Sequence, residues 1–309
     1  MSEQDYLRQQ IKESSCIRLA VLFGCFFVCL IISTLIGGLI DSAPLGSLRD
    51  KHLWMSVVQN ILAFCLPAFL LARFCSKRPF DWLGLKKPIS LKQIAGVIIV
   101  YILTMPAMEW LIEWNQHIHF PDSLSNVEQI MRNWENSSNA ISENLLNSNS
   151  AWGIISGVLV IGILTGFSEE LFFRGGLQGL LSSSALNKIS CIWISAIVFS
   201  TMHFQFFGFF PRLLMGAFFG YLLYWTGSLW PAIFAHILNN GLIVIIAGLL
   251  GQDSIYPSIA EEEIAEIILP IGSLILSILF FVFFREFFFN SENHKSIWQK
   301  NQVPPITRK

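Results

Sequence analysis

Long apolar runs separated by short polar connections dominate the chain. A helix that crosses the hydrocarbon core of a bilayer needs about 20 apolar residues, and backbone in lipid must satisfy its own hydrogen bonds. The pattern therefore predicts an all-α, polytopic membrane protein with eight transmembrane helices. They fall over roughly residues 17–40, 54–74, 93–114, 151–175 with an extension to 184, 188–208, 212–226, 230–250 and 264–284. The apolar run 19–40 is longer than the roughly 7–15 residues of a signal-peptide core and reads as a retained first span. No internal repeat or second domain is visible, so residues 1–309 read as one transmembrane domain. One connection is long: residues 115–150 form a polar extramembrane loop rich in Asn, Ser and Glu, in which Val127 to Trp134 patterns as a short surface helix.

Composition agrees. Hydrophobic residues make up 53% of the chain and charged residues 13%, where a soluble domain carries about a quarter charged. With a net charge of -1, nothing points to a nucleic-acid partner. The placement of the basic residues is more telling than their sum. Eight spans put on one side Arg8, Lys12, Arg18, Arg73, Lys77, Arg78, Lys86, Lys87, Lys92, Arg174, Lys188, Arg285, Lys295, Lys300, Arg308 and Lys309, and on the other Arg49, Lys51, Arg132 and Arg212. Sixteen against four predicts that both termini are cytoplasmic. The six cysteines lie in or beside apolar runs without CxxC pairing and read as packing residues. His117 and His119 read as solvated, and Asn136-Ser-Ser138 is a sequon by pattern alone.

Ionisable residues inside a span are costly, about 2.5–3.5 kcal/mol each on translocon scales. Three stretches carry them. In Ser168-Glu-Glu-Leu-Phe-Phe-Arg-Gly175 the adjacent carboxylates point about 100° apart on a helix. Glu170 and Arg174, at i,i+4, share a face and pair, which leaves Glu169 free to act as a base. Phe199-Ser-Thr-Met-His203 ends an apolar run, and His236-Ile-Leu-Asn-Asn240 places His236 and Asn240 on one helix face, with Asn239 one residue off it. A turn near Leu186 puts Glu169 and His203 seventeen residues away on either side, hence at similar depth, provided that span four continues past Gly175-Gly176. A carboxylate and an imidazole at one depth can activate water. An imidazole and an amide one turn apart can donate to an oxyanion.

These motifs, Glu169-Glu170…Arg174, Phe199…His203 and His236…Asn240, resemble those of the CAAX protease and bacteriocin-processing family of intramembrane proteases, related to Ras-converting enzymes. Leu171-Phe-Phe-Arg-Gly175 and Gly227-Ser-Leu-Trp-Pro231 are similar to its flanking sequences, and the resemblance covers about residues 165–245, the expected catalytic core. It implies that Glu169 and His203 activate the attacking water, that His236 and Asn240 form the oxyanion hole, and that Glu170 and Arg174 support the site. No cofactor is favoured. The missing His-Glu-x-x-His spacing speaks against zinc, although a zinc-dependent version of the same protease is the alternative. The implied partners are membrane lipid and a peptide, lipidated protein or membrane-protein substrate, and the implied location is a bacterial cytoplasmic membrane. Two other readings compete: a transporter, whose paths also use buried ionisable groups, and a non-catalytic immunity factor or scaffold. The basic bias makes one direct prediction: reporters fused at Met1 and at Lys309 should both report the cytoplasm, and a single external terminus would overturn the topology.

Overall fold

The computed structural model describes residues 15–183, 186–251 and 263–284. Among them the chain is all helix and turn, without a strand. We number the helices α1 (Ser15–Ser42), α2 (Leu48–Cys75), α3 (Leu91–Gln116), α4 (Ser125–Leu146), α5 (Ala151–Ser182), α6 (Lys188–Thr201), α7 (Phe209–Thr226), α8 (Trp230–Leu250) and α9 (Glu263–Phe284). Six of them, α1, α2, α3, α5, α7 and α8, are long and apolar enough to cross a membrane. The expected segments at 188–208 and 264–284 are also helical, but α6 has 14 residues, about 21 Å at 1.5 Å per residue, short of the roughly 30 Å hydrocarbon core. Arg8, Lys12 and the basic residues from Arg285 onward lie outside the described residues. Arg174 is wholly buried in the core rather than at a cytoplasmic edge; without it the basic tally becomes fifteen to four.

Two boundaries differ from the hydropathy reading. Span five was expected to run to residue 208, but α6 ends at Thr201 and a turn follows, with Phe206–Gly208 as a single 3-10 turn before α7. Phe204, Phe206 and Phe207 keep this stretch as apolar as a span, so hydropathy cannot mark the break. Polar groups make it: the Ser200 hydroxyl donates to the Phe209 carbonyl at 2.7 Å, and buried Asn115 accepts from the Phe210 amide at 2.9 Å. Phe204 has φ 54°, a left-handed conformation that side-chain-bearing residues seldom adopt. The second difference is α4, which extends the expected short helix in the 115–150 loop to 22 residues. Glu128 staples its start, accepting from the Phe120 amide at 2.8 Å and from Arg132 Nε at 2.8 Å. These donors, the Phe120 amide first, hold the Glu128 carboxyl well below the usual carboxylate range.

α5 is the central element. Its 32 residues would span about 48 Å, so it must tilt or project from the bilayer, and it continues past Gly175-Gly176 as the sequence reading required. Phe172 and Phe173 on α5 pack with Phe26, Phe64 and Phe199, ring centroids 5.1–6.1 Å apart. Small residues bring α5 against α8. A Cβ on Gly162 would stand 3.2 Å from Gly241 Cα, and one on Gly166 would stand 3.1 Å from the Ile237 backbone nitrogen. This close approach sets the motif residues of α5 beside those of α8. Gly166→Val should therefore destabilise by about 1–3 kcal/mol, as overpacking does, whereas Gly38→Val, with nothing within 4 Å of the new Cβ, should be close to neutral; thermal melts in detergent compare them.

Candidate active site

α5 is not uniform where the motif lies. Thr165–Glu170 is regular α-helix between two π-helical stretches, Val158–Leu164 and Leu171–Gln178. Such wide turns are rare and occur frequently at functional sites. The segment is also gripped from α2, which is itself π-helical over Asn60–Cys65. Buried Asn60 donates to Thr165 Oγ1 at 3.1 Å, and its Oδ1 accepts from the Ser168 hydroxyl. Sequence reasoning missed Asn60; its signal was the amide pair Gln59-Asn60 in the otherwise apolar run 54–74.

Glu170, Arg174 and His236 form one buried assembly. Arg174 Nη1 donates to Glu170 Oε1 at 2.8 Å, Nη2 donates to the Gly216 carbonyl at 2.8 Å, and both side chains are fully buried. The guanidinium sits 4.4 Å from the Phe199 ring centroid and 5.3 Å from that of Phe219. One turn along, Gln178 Nε2 donates to the Gly220 carbonyl at 3.0 Å. Gly216 and Gly220 on α7 leave room for both reaching side chains: a Cβ at Gly216 would lie 3.0 Å from Arg174 Nη2. The expected i,i+4 pair is thus present, with a further member, since His236 Nδ1 lies 2.8 Å from the same Glu170 Oε1.

His236 lies between both carboxylates. A carboxylate can only accept, so Nδ1 carries the proton given to Glu170, and Nε2 faces Glu169 Oε2 at 3.8 Å. Two residues that point 100° apart on α5 reach one imidazole because its two nitrogens lie on different edges of the ring. Phe219 stacks on that ring at 5.0 Å and Phe199 meets it edge-on at 5.9 Å. Glu169 retains 8% exposure where Glu170 has none. The Asn240 amide donates to the Ile161 carbonyl at 3.3 Å, and its oxygen accepts from Asn239 at 3.0 Å. Asn239 in turn accepts from Tyr101 at 3.4 Å, a contact reaching outside the motif region.

His203 stands in the turn after α6. Its Nδ1 donates to the Phe199 carbonyl at 2.8 Å, and its ring meets Phe199 at 4.9 Å, so Phe199 touches both imidazoles. Arg212 closes the same turn by donating to the Gln205 carbonyl at 3.1 Å. Among the described residues no group of three or more His, Cys, Asp or Glu side chains is arranged as a metal site. His117 bonds to the Glu113 carbonyl and His119 to Glu128, both in exposed positions away from this cluster.

The motif residues lie in a single stretch of chain that has known counterparts. Residues 151–242 match the family of type II CAAX prenyl endopeptidases described as Rce1-like. The match agrees with the resemblance read from the motifs, and the family is one of peptidases. The Rce1-like stretch holds Glu169, Glu170, Arg174, His203, His236 and Asn240, whereas Asn60, Tyr101 and α4 lie before it. No curated protein and no solved structure matches the chain.

The Arg174 assembly yields a stability prediction. Removing one partner of a buried ion pair costs about 3–5 kcal/mol. Arg174→Ala should lower the melting temperature in detergent together with activity, because Glu170 then faces His236 without its counter-charge. Full stability with activity alone lost would reassign Arg174 to the chemistry.

Proposed function

We propose that the chain is an intramembrane endopeptidase that hydrolyses a peptide bond of a membrane-associated protein or peptide with a glutamate-activated water. The observation that carries this reading is the difference between the two carboxylates that flank His236. Glu170 is fully buried and bonded to Arg174 and His236, whereas Glu169, though buried, keeps 8% exposure and meets His236 only at 3.8 Å. A base needs a carboxylate that is not already held and that water can reach.

In this mechanism Glu169 accepts a proton from water as the water oxygen attacks the scissile carbonyl carbon. With its Nδ1 proton given to Phe199, neutral His203 has an unprotonated Nε2 that accepts a hydrogen bond from the same water. The carbonyl π electrons move to oxygen, and that oxyanion is met by Asn240 Nδ2 and by His236. With Nδ1–H given to Glu170, His236 donates from Nε2 only as the imidazolium; it and Arg174 then face the two carboxylates Glu169 and Glu170. Collapse of the tetrahedral intermediate breaks the C–N bond, and Glu169 returns its proton to the leaving amine. Glu170 and Arg174 orient His236 rather than touch substrate, a role analogous to that of the aspartate in a serine-protease triad. No metal is required. The substrate class that fits is a prenylated C-terminus, a leader peptide or a membrane-protein segment, cleaved at a bacterial cytoplasmic membrane.

The test is cleavage by purified protein. Glu169→Gln keeps the shape and removes the base, so it should abolish turnover while the melting temperature is retained. Asn240→Ala should lower turnover by about 10²–10³, as loss of one oxyanion donor does elsewhere. Chelators should leave the rate unchanged. Activity stripped by a chelator and restored by zinc would keep the peptidase and overturn its mechanism, and full activity in Glu169→Gln would remove Glu169 from the reaction.

A further inference from the structure

Helix α4 has three distinct faces. Toward the protein, Arg132 donates to the Ile118 carbonyl at 3.1 Å and covers the Phe207 ring at 4.0 Å, and Glu135 accepts from the Phe207 amide at 3.0 Å. The face bearing Gln129, Asn133 and Asn136 is polar and exposed. Between them runs an apolar stripe, Val127, Ile130, Trp134 and Ile141, at helical spacing and with each side chain 45–51% exposed. A helix wholly in water would not keep its apolar stripe outward while using its charged residues to grip the protein.

The chain on either side of α4 says what covers the stripe. Trp110 and Trp114 are exposed in the last two turns of α3, and Trp152 is exposed at the start of α5. Tryptophans gather at the headgroup level, where an amphipathic ring is half apolar and half wet. α4 directly joins these two helix ends, so its stripe lies near the same boundary. Arg132 is the helix's only Lys or Arg, and it is paired with Glu128 at 2.7 Å.

We propose that α4 lies in the membrane interface, with Val127, Ile130, Trp134 and Ile141 seated at the acyl–headgroup boundary of the bilayer and without dependence on anionic lipid. The bilayer then bears on the turn that carries His203, because Trp134 packs against Phe204 and Phe206 at 5.9 and 6.1 Å. That consequence rests on the proposed role of His203, whereas the seating of α4 does not.

The experiment uses the full chain in phosphatidylcholine vesicles, with native cysteines replaced and nitroxide labels placed singly at 127, 130 and 141 or at 129, 133 and 136. The stripe labels should collide more with oxygen than with a water-soluble nickel chelate, and the polar-face labels should do the reverse. Depths should not change when phosphatidylglycerol is added. Equal nickel access on both faces would overturn the proposal. So would exclusion of both reagents from the stripe, the mark of a covering protein, or seating only with phosphatidylglycerol. Should cysteine replacement unfold the chain, hydroxyl-radical footprinting of the unaltered protein in vesicles reads the same face. Trp134 should be protected several-fold relative to exposed His119, and equal labelling of the two would overturn the proposal. Neither measurement involves cleavage, so its failure is distinct from failure of the peptidase reading.

Discussion

A guanidinium with no solvent exposure organises the centre of this molecule. Arg174 cannot shed its charge, and removing it from water is affordable only where its surroundings compensate most of it; its Nε alone is left without a hydrogen-bond partner. Glu170 neutralises it, the Gly216 carbonyl takes a second donor, and the rings of Phe199 and Phe219 cover its flat faces. Each of these demands fixes something else. Gly216 must lack a side chain so that the guanidinium can reach the backbone, which sets α7 against α5. Phe199 and Phe219 must stand where they also contact His236. Glu170, held by Arg174, holds His236 in turn. One buried charge thereby ties α5, α6, α7 and α8 to a common geometry.

That geometry separates two adjacent carboxylates that are chemically alike. Glu170 directs one carboxylate oxygen, Oε1, to both a cation and an imidazole, and its Oε2 has no hydrogen-bond partner. Glu169, one residue earlier, is at the edge of the same assembly, 3.8 Å from the other imidazole nitrogen and with 8% exposure. Environment, not residue type, makes one a fixture and, in the proposed mechanism, leaves the other for proton transfer. The π-helical turns on both sides of Thr165–Glu170 and the Asn60–Ser168 bond from α2 hold this short stretch in register, so the distinction is built into the scaffold.

The N-terminal half contributes more than a lipid-facing envelope. α2 supplies Asn60, α3 supplies Tyr101 and Asn115, and α4 grips the turn after His203. These contacts end on backbone amides, as at Phe207 and Phe210, or on side chains close to the motif residues, as at Thr165 and Asn239. Such second partners orient groups that the motifs only name.

Periodicity and hydropathy alone were sufficient for the helical class, the approximate place of every apolar helix and the pairing of Glu170 with Arg174. These are local properties: run length, and i,i+4 spacing on one helix. The candidate residues Glu169, His203, His236 and Asn240 were legible too, since an ionisable or amide group in an apolar run is costly enough to stand out. What pairing alone could not reveal was that His236 sits between both glutamates, because that depends on the approach of α5 to α8 across Gly162 and Gly166. The break between α6 and α7 was hidden by phenylalanines that are as apolar in a turn as in a span. The full length of α4 was hidden by a polar sequence whose helical start depends on Glu128 meeting the Phe120 amide and Arg132. Local pattern determined which residues must avoid lipid; only tertiary packing decided which of them meet, because contacts between helices are set by side-chain volumes and backbone approach that no single segment contains.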